Sequence, residues 1–129
     1  MLIWELGRMN SLYRAMGDEA GIERVVDAMY DRVLQDESLK PFFLQVDMAG
    51  QRAKFRSFLH TVTGGPVQRS GIELRAAHSR HVDSGLSHEH FEGFLHHLRN
   101  ALSDASVPDE TAAIVMEKVG QTRNDVLGL

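Results

Sequence analysis

The 129-residue sequence predicts an all-α domain, and three observations carry that prediction. Apolar residues recur at helical spacing along almost the whole chain, no alternating strand pattern appears, and the interruptions fall at Gly, Pro, Asp and Ser. The length suits one domain with a single core.

Residues 11–16 read as a short helix stopped by Gly17. Asp18 and Glu19 favour the start of the next, whose Ile22, Val25, Val26, Met29, Tyr30, Val33 and Leu34 fall on one stripe and so face a core. Residues 36–41 end it, and Phe42-Phe43 follow Pro41 in an irregular corner. Asp47 is the expected N-cap of a third helix with Phe55, Phe58, Leu59 and Val62 inward, closed by Gly64-Gly65-Pro66. Residues 67–71 read as a loop, 74–82 as a short helix and 83–85 as a turn. Ser87 is expected to cap a long helix with Phe91, Phe94, Leu95, Leu98 and Leu102 inward, and a last helix runs from about residue 108 to 126.

The composition, 43% apolar and 25% charged, is that of a globular protein. No cysteine is present, which excludes a disulfide framework, a thiolate nucleophile and thiolate-held zinc or iron–sulfur clusters. A net charge of −4 supplies no basic field for nucleic acid. The apolar start Met1-Leu2-Ile3-Trp4 is broken by Glu5, Gly7 and Arg8, too short for a membrane span and without a signal-peptide layout. The expectation is a soluble cytoplasmic protein whose residues 1–9 form an N-terminal extension to a domain spanning 10–129.

The chemistry concentrates between residues 47 and 91. A helix carrying Gln51, Lys54 and Phe55 ends at a glycine turn, and twelve residues later comes the isolated His78. A helix wall, a tight turn and one imidazole suit a flat iron cofactor gripped from both sides. Taken singly, His78 reads as a helix-surface histidine, and Tyr30 as a core tyrosine with its hydroxyl at the surface.

The ordered set is more specific. Asp47-Met48-Ala49-Gly50-Gln51-Arg52-Ala53-Lys54, Gly64-Gly65-Pro66, Leu74-Arg75-Ala76-Ala77-His78 and Gly85-Leu86-Ser87-His88-Glu89-His90-Phe91 resemble the truncated, two-on-two haemoglobins of group I. Leu12-Tyr13, residues 25–34, Pro41-Phe42-Phe43, Val107-Pro108 and residues 124–127 extend the likeness over about residues 10 to 128. The resemblance implies a truncated globin-like two-over-two helical sandwich holding haem b (iron protoporphyrin IX), with His78 as the proximal iron ligand and His81 as the runner-up. It also implies that Tyr30 and Gln51 donate hydrogen bonds to a bound ligand. Phe43 matches the phenylalanine that stacks on haem, and Phe42, Phe55, Phe58, Leu59, Val62, Leu74, Leu86, Phe91 and Phe94 are candidates to enclose it.

Two positions depart from the family pattern. Phe55 stands where a glutamine or small apolar residue is often found, removing one hydrogen-bond donor and adding a bulky ring near the iron. Lys54 is a candidate for two roles: a salt bridge to a haem propionate, or, deprotonated in an apolar pocket, the sixth iron ligand.

The implied function is reversible binding of oxygen or another diatomic gas, with nitric oxide dioxygenation as a candidate enzymatic activity that needs an unidentified electron donor. The reading from another class is a haem-free all-helical interaction or sensor module. Phe55 filling the distal space favours that reading, and the presence of His78 and Tyr30 opposes it. His88, His90, His96 and His97 crowd one region but form no HExxH or paired ExxH pattern, so they are expected to make a solvated, weakly metal-affine face, with His90 supporting its helix start. His60 has no evident partner. Ser57, Ser70, Ser79 and Ser87 lack a nucleophile elbow.

Overall fold

The computed structural model describes residues 12–64 and 86–127. Among these residues the chain is helical throughout: α1 (Asp18–Val33), a single 3-10 turn at Lys40–Phe43, α2 (Met48–Val62), α3 (His88–Asp104), α4 (Asp109–Gly120) and α5 (Arg123–Leu127). Helix α1 packs on both α2 and α3, α3 packs on α4 and α5, and α4 also touches α2. The extension at residues 1–9, the expected loop at 67–71, the helix at 74–82 and the turn at 83–85 lie outside the described residues.

The entry to α1 depends on two glycines. Gly17 is left-handed (φ 94°), and Asp18 also has positive φ (59°). A Cβ on Gly21 would stand 1.8 Å from the Met16 carbonyl oxygen, so only glycine lets the preceding turn cross so close. Of the expected α1 stripe, Ile22, Val25, Val26, Met29, Tyr30 and Val33 are buried. Leu34 is the exception. It is the C-cap and half-buried, because the helix ends one residue before it.

The corner at Phe42-Phe43 is more regular than expected. Pro41 sits at the start of the 3-10 turn, where its missing N–H costs no bond. Asp47 precedes α2 as expected, yet its carboxylate makes no cap bond, and its carbonyl accepts from the Gln51 N–H at 2.9 Å. Of the expected inner face of α2 only Leu59 is buried, while Phe55, Phe58 and Val62 are half-buried.

Ser87 starts α3 with a variant capping box, its N–H donating to Nδ1 of His90 at 3.1 Å where Glu or Gln is usual. Phe91, Leu95, Leu98 and Leu102 are buried as expected, and Phe94 is half-buried. The helix ends in a Schellman motif: Val107 N–H donates to the Leu102 carbonyl and Ser106 N–H to that of Ser103, both at 3.0 Å. Ser106 takes the left-handed position, φ 59°, where glycine is usual.

The expected single last helix is two helices. Gly120 ends α4, and the Thr122 hydroxyl donates to the Val119 carbonyl at 2.7 Å, turning the chain before α5. Among the described residues no helix is long and apolar enough to cross a membrane.

Candidate functional site

The site is built where α1 and α2 meet. Tyr30 lies on the buried stripe of α1, 1% exposed, and three half-buried rings surround it edge-on. The centroids of Phe43, Phe55 and Phe94 lie 5.9, 6.1 and 6.1 Å from that of Tyr30. Phe55 in turn stacks on Phe58 at 5.7 Å and meets Phe94 edge-on at 5.6 Å. The helix period places Phe55 and Phe58 on one side of α2, while Phe43 comes from the 3-10 turn and Phe94 from α3.

The phenol has one polar neighbour of direct consequence. Gln51 Nε2 donates to the Tyr30 hydroxyl at 3.0 Å. An amide nitrogen can only donate, so the phenolic oxygen accepts, and among the described residues no acceptor takes its own proton. Burial pushes the Tyr30 pKa up to about 12, against opposing effects of the Gln51 bond and the Arg52 charge, so the phenol is a neutral donor at physiological pH.

These groups fit a haem. Large aromatic rings that pack on the core yet stay half-buried form an apolar wall, and the buried phenol with an uncommitted proton is the kind of donor that a polar ligand in an apolar cavity requires. The other half of that fit, His78, lies outside the described residues, as do Leu74 and His81. Phe91 is buried in the core at 5% exposure, with the Arg123 guanidinium 4.8 Å over its ring. Phe42 meets the ring of His90 edge-on at 4.8 Å.

Lys54 is exposed. The apolar surroundings that its role as an iron ligand requires do not enclose its ammonium in this conformation.

The bacterial-like globin family matches residues 11–127. A group 1 truncated haemoglobin of a Synechocystis species is 38% identical over 122 residues, covering 92% of this chain and 98% of that protein. The chain belongs to the bacterial-like globin family. Among solved structures, the 2/2 haemoglobin of Synechococcus sp. PCC 7002, in the cyanomet state with covalently attached haem, matches with a TM-score of 0.85 at 34% identity. That match covers 92% of this chain and 98% of the other. Truncated haemoglobin from Tetrahymena pyriformis in its Fe(III) form matches with a TM-score of 0.79 at 29% identity, over 90% and 97% of the two chains. As a truncated haemoglobin of the 2/2 globin fold, the chain is a haem-dependent binder of small gases such as oxygen.

Sequence reasoning missed the polar seam of this globin's distal edge. Arg52 bonds Asp27 and Asp31, both at 3.0 Å, and His60, read as partnerless, has Nδ1 2.5 Å from Oε1 of Glu19. Tyr13 donates to the same oxygen at 3.1 Å. A signal was present: Glu19, Glu23, Asp27 and Asp31 recur every four residues, as do Arg52, Arg56 and His60, so each set lies along one helix face.

The histidine face also needs correction. His96 is exposed and bonded to Asn100, but His97 is half-buried, its Nε2 2.7 Å from Oδ2 of Asp36. That bond, with those from Ser38, holds the Asp36 carboxyl down at about 2. Among the described residues no three His, Asp or Glu side chains are grouped to hold a metal ion.

Proposed function

We propose that this globin holds haem b through His78 and uses Tyr30 and Gln51 to retain a polar diatomic ligand, oxygen first among them. The observation that carries this reading is the Gln51 bond to the Tyr30 hydroxyl, because it occupies the oxygen's acceptor side and leaves the phenolic proton for the ligand. Phe43, Phe55, Phe58, Leu74 and Phe91 exclude water and give the donor its strength in a low dielectric. Phe55 narrows the approach, since its ring stands against those of Tyr30 and Phe94.

Bound haem supplies gas coordination and one-electron redox chemistry, including the conversion of oxygen and nitric oxide to nitrate with an external donor returning the electron. Tyr30 suits that reaction because a neutral donor polarises oxygen without giving up its proton near pH 7. We place the protein in the cytoplasm, where reductants are at hand.

Lys54 has two roles open to it. Its exposure supports the role of propionate counter-ion. Turned inward and deprotonated, it would be the sixth iron ligand, and that ligation strengthens as pH rises. A ferric spectrum that turns low-spin from neutral to alkaline pH, and fails to do so in Lys54→Ala, assigns Lys54 to the iron. A spectrum unchanged in both rules Lys54 out as the iron ligand and leaves the propionate role standing.

An absorption scan in the Soret region tests the whole reading. Wild type reconstituted with haem gives a Soret band that His78→Ala weakens and shifts. A featureless wild-type scan would leave the haem-free interaction or sensor module in its place.

A further inference from the structure

Arg52 follows Gln51 on α2 and is a partly sheltered cation, its side chain 20% exposed. Its Nη1 donates to Oδ1 of Asp27 at 3.0 Å and to the Asp27 carbonyl at 3.3 Å, and its Nη2 donates to Oδ1 of Asp31 at 3.0 Å. The same guanidinium stands over the Tyr30 ring, 5.9 Å from its centroid. Asp27 and Asp31 lie on either side of Tyr30 in α1, so one fork grips the helix both before and after the phenol. Gln51, about 100° around α2 from Arg52, reaches the hydroxyl. A lysine could not replace the fork, being a single point of charge.

We propose that Arg52 is a positioning residue of the distal pair, fixing α2 against α1 so that the Gln51 amide stays on the Tyr30 hydroxyl and the phenolic proton stays turned toward the ligand. This rests on the gas-binding reading and adds to it the device that keeps the donor aimed. The bonds of Arg52 go to Asp27 and Asp31 and none to the Tyr30 hydroxyl, so the positioning effect proposed for it passes through Gln51. A purely structural ion pair would hold the helices together without regard to what Gln51 is.

The test uses the haem-reconstituted full chain. Arg52→Met keeps the length of the side chain and removes the fork. Oxygen dissociation from the ferrous protein is expected to quicken about five- to tenfold, the loss of one well-made hydrogen bond, while carbon monoxide dissociation changes less than about twofold. In a Gln51→Leu background the same substitution is expected to change oxygen dissociation by less than about twofold, because coupled residues do not act additively.

Should Arg52→Met fail to fold, Asp31→Asn removes one arm of the fork, with a two- to threefold effect expected, about half that of the full loss, again absent beside Gln51→Leu. Oxygen dissociation unchanged in a folded variant, or equal effects with and without Gln51, overturns the proposal while leaving gas binding intact. A wild type that takes up no haem overturns the gas-binding reading, and this one with it.

Discussion

Helix α1 meets its two neighbours in different ways. Against α3 the seam is closed by apolar burial, with one exposed ion pair, Arg32–Asp104, at its margin: Leu98, Ala101 and Leu102 are sealed completely, opposite an α1 stripe sealed from Ile22 to Val33. Against α2 only Leu59 is sealed, and the contact is completed by half-buried rings, the Gln51–Tyr30 bond and the pairs of Arg52 and His60 with carboxylates. Burial is strong and non-directional, whereas hydrogen bonds and ion pairs are weak and directional. The fold's stability therefore resides chiefly in the first seam, and the polar groups of the candidate site lie in the second.

The largest effect that sharpens this contrast comes from equal truncations on the two sides. Leu98→Ala, in the α1–α3 seam, should cost about 2 to 5 kcal/mol in denaturant melts. Phe58→Ala, half-exposed in the α1–α2 wall, should cost less than half as much although it removes a larger side chain. Equal costs would erase the distinction.

Next comes the buried phenol. Tyr30 has a folded pKa near 12, above the ordinary 10, so the unfolded chain ionises first as pH rises. The stability it contributes is intact below about pH 10 and is lost on rising toward 12, amounting to about 2 to 3 kcal/mol over that window. Tyr30→Phe should flatten that part of the stability curve, read from melts at a series of pH values. A curve of the same slope in both proteins would mean that the phenol is not sealed as described.

Smaller effects follow at the margins. Ser106→Gly relieves the left-handed residue that ends α3 and should raise stability by about 1 kcal/mol, without touching the α1–α2 seam or ligand release. His60→Ala removes an exposed contact with Glu19 and should move stability by no more than about 1 kcal/mol in denaturant melts.

The sequence made the first seam plain and the second only partly so. A helical stripe such as that of α1 is written in the spacing of its own residues, and the glycine stop at Gly17 and the start at Ser87 are equally local. The break between α4 and α5 was hidden, because Gly120 reads as a tolerated helix residue until Thr122 is seen to cap the Val119 carbonyl. The polar ties were harder still: Arg52 reaches 25 residues back to Asp27, and His97 reaches 61 back to Asp36. Pairings of that kind depend on how helices cross, which periodicity does not state. The burial of Tyr30 was legible in the α1 stripe, the ligand roles expected of Tyr30 and Gln51 came only from family likeness, and their mutual hydrogen bond was not legible at all.

The central claim is that the phenolic proton left free by Gln51 is what retains the gas. The rate of oxygen release from the ferrous haem protein, compared between wild type and Tyr30→Phe, addresses it most directly. The account predicts release at least about tenfold faster without the hydroxyl, the worth of one strong buried hydrogen bond. Equal rates in the two proteins would contradict it.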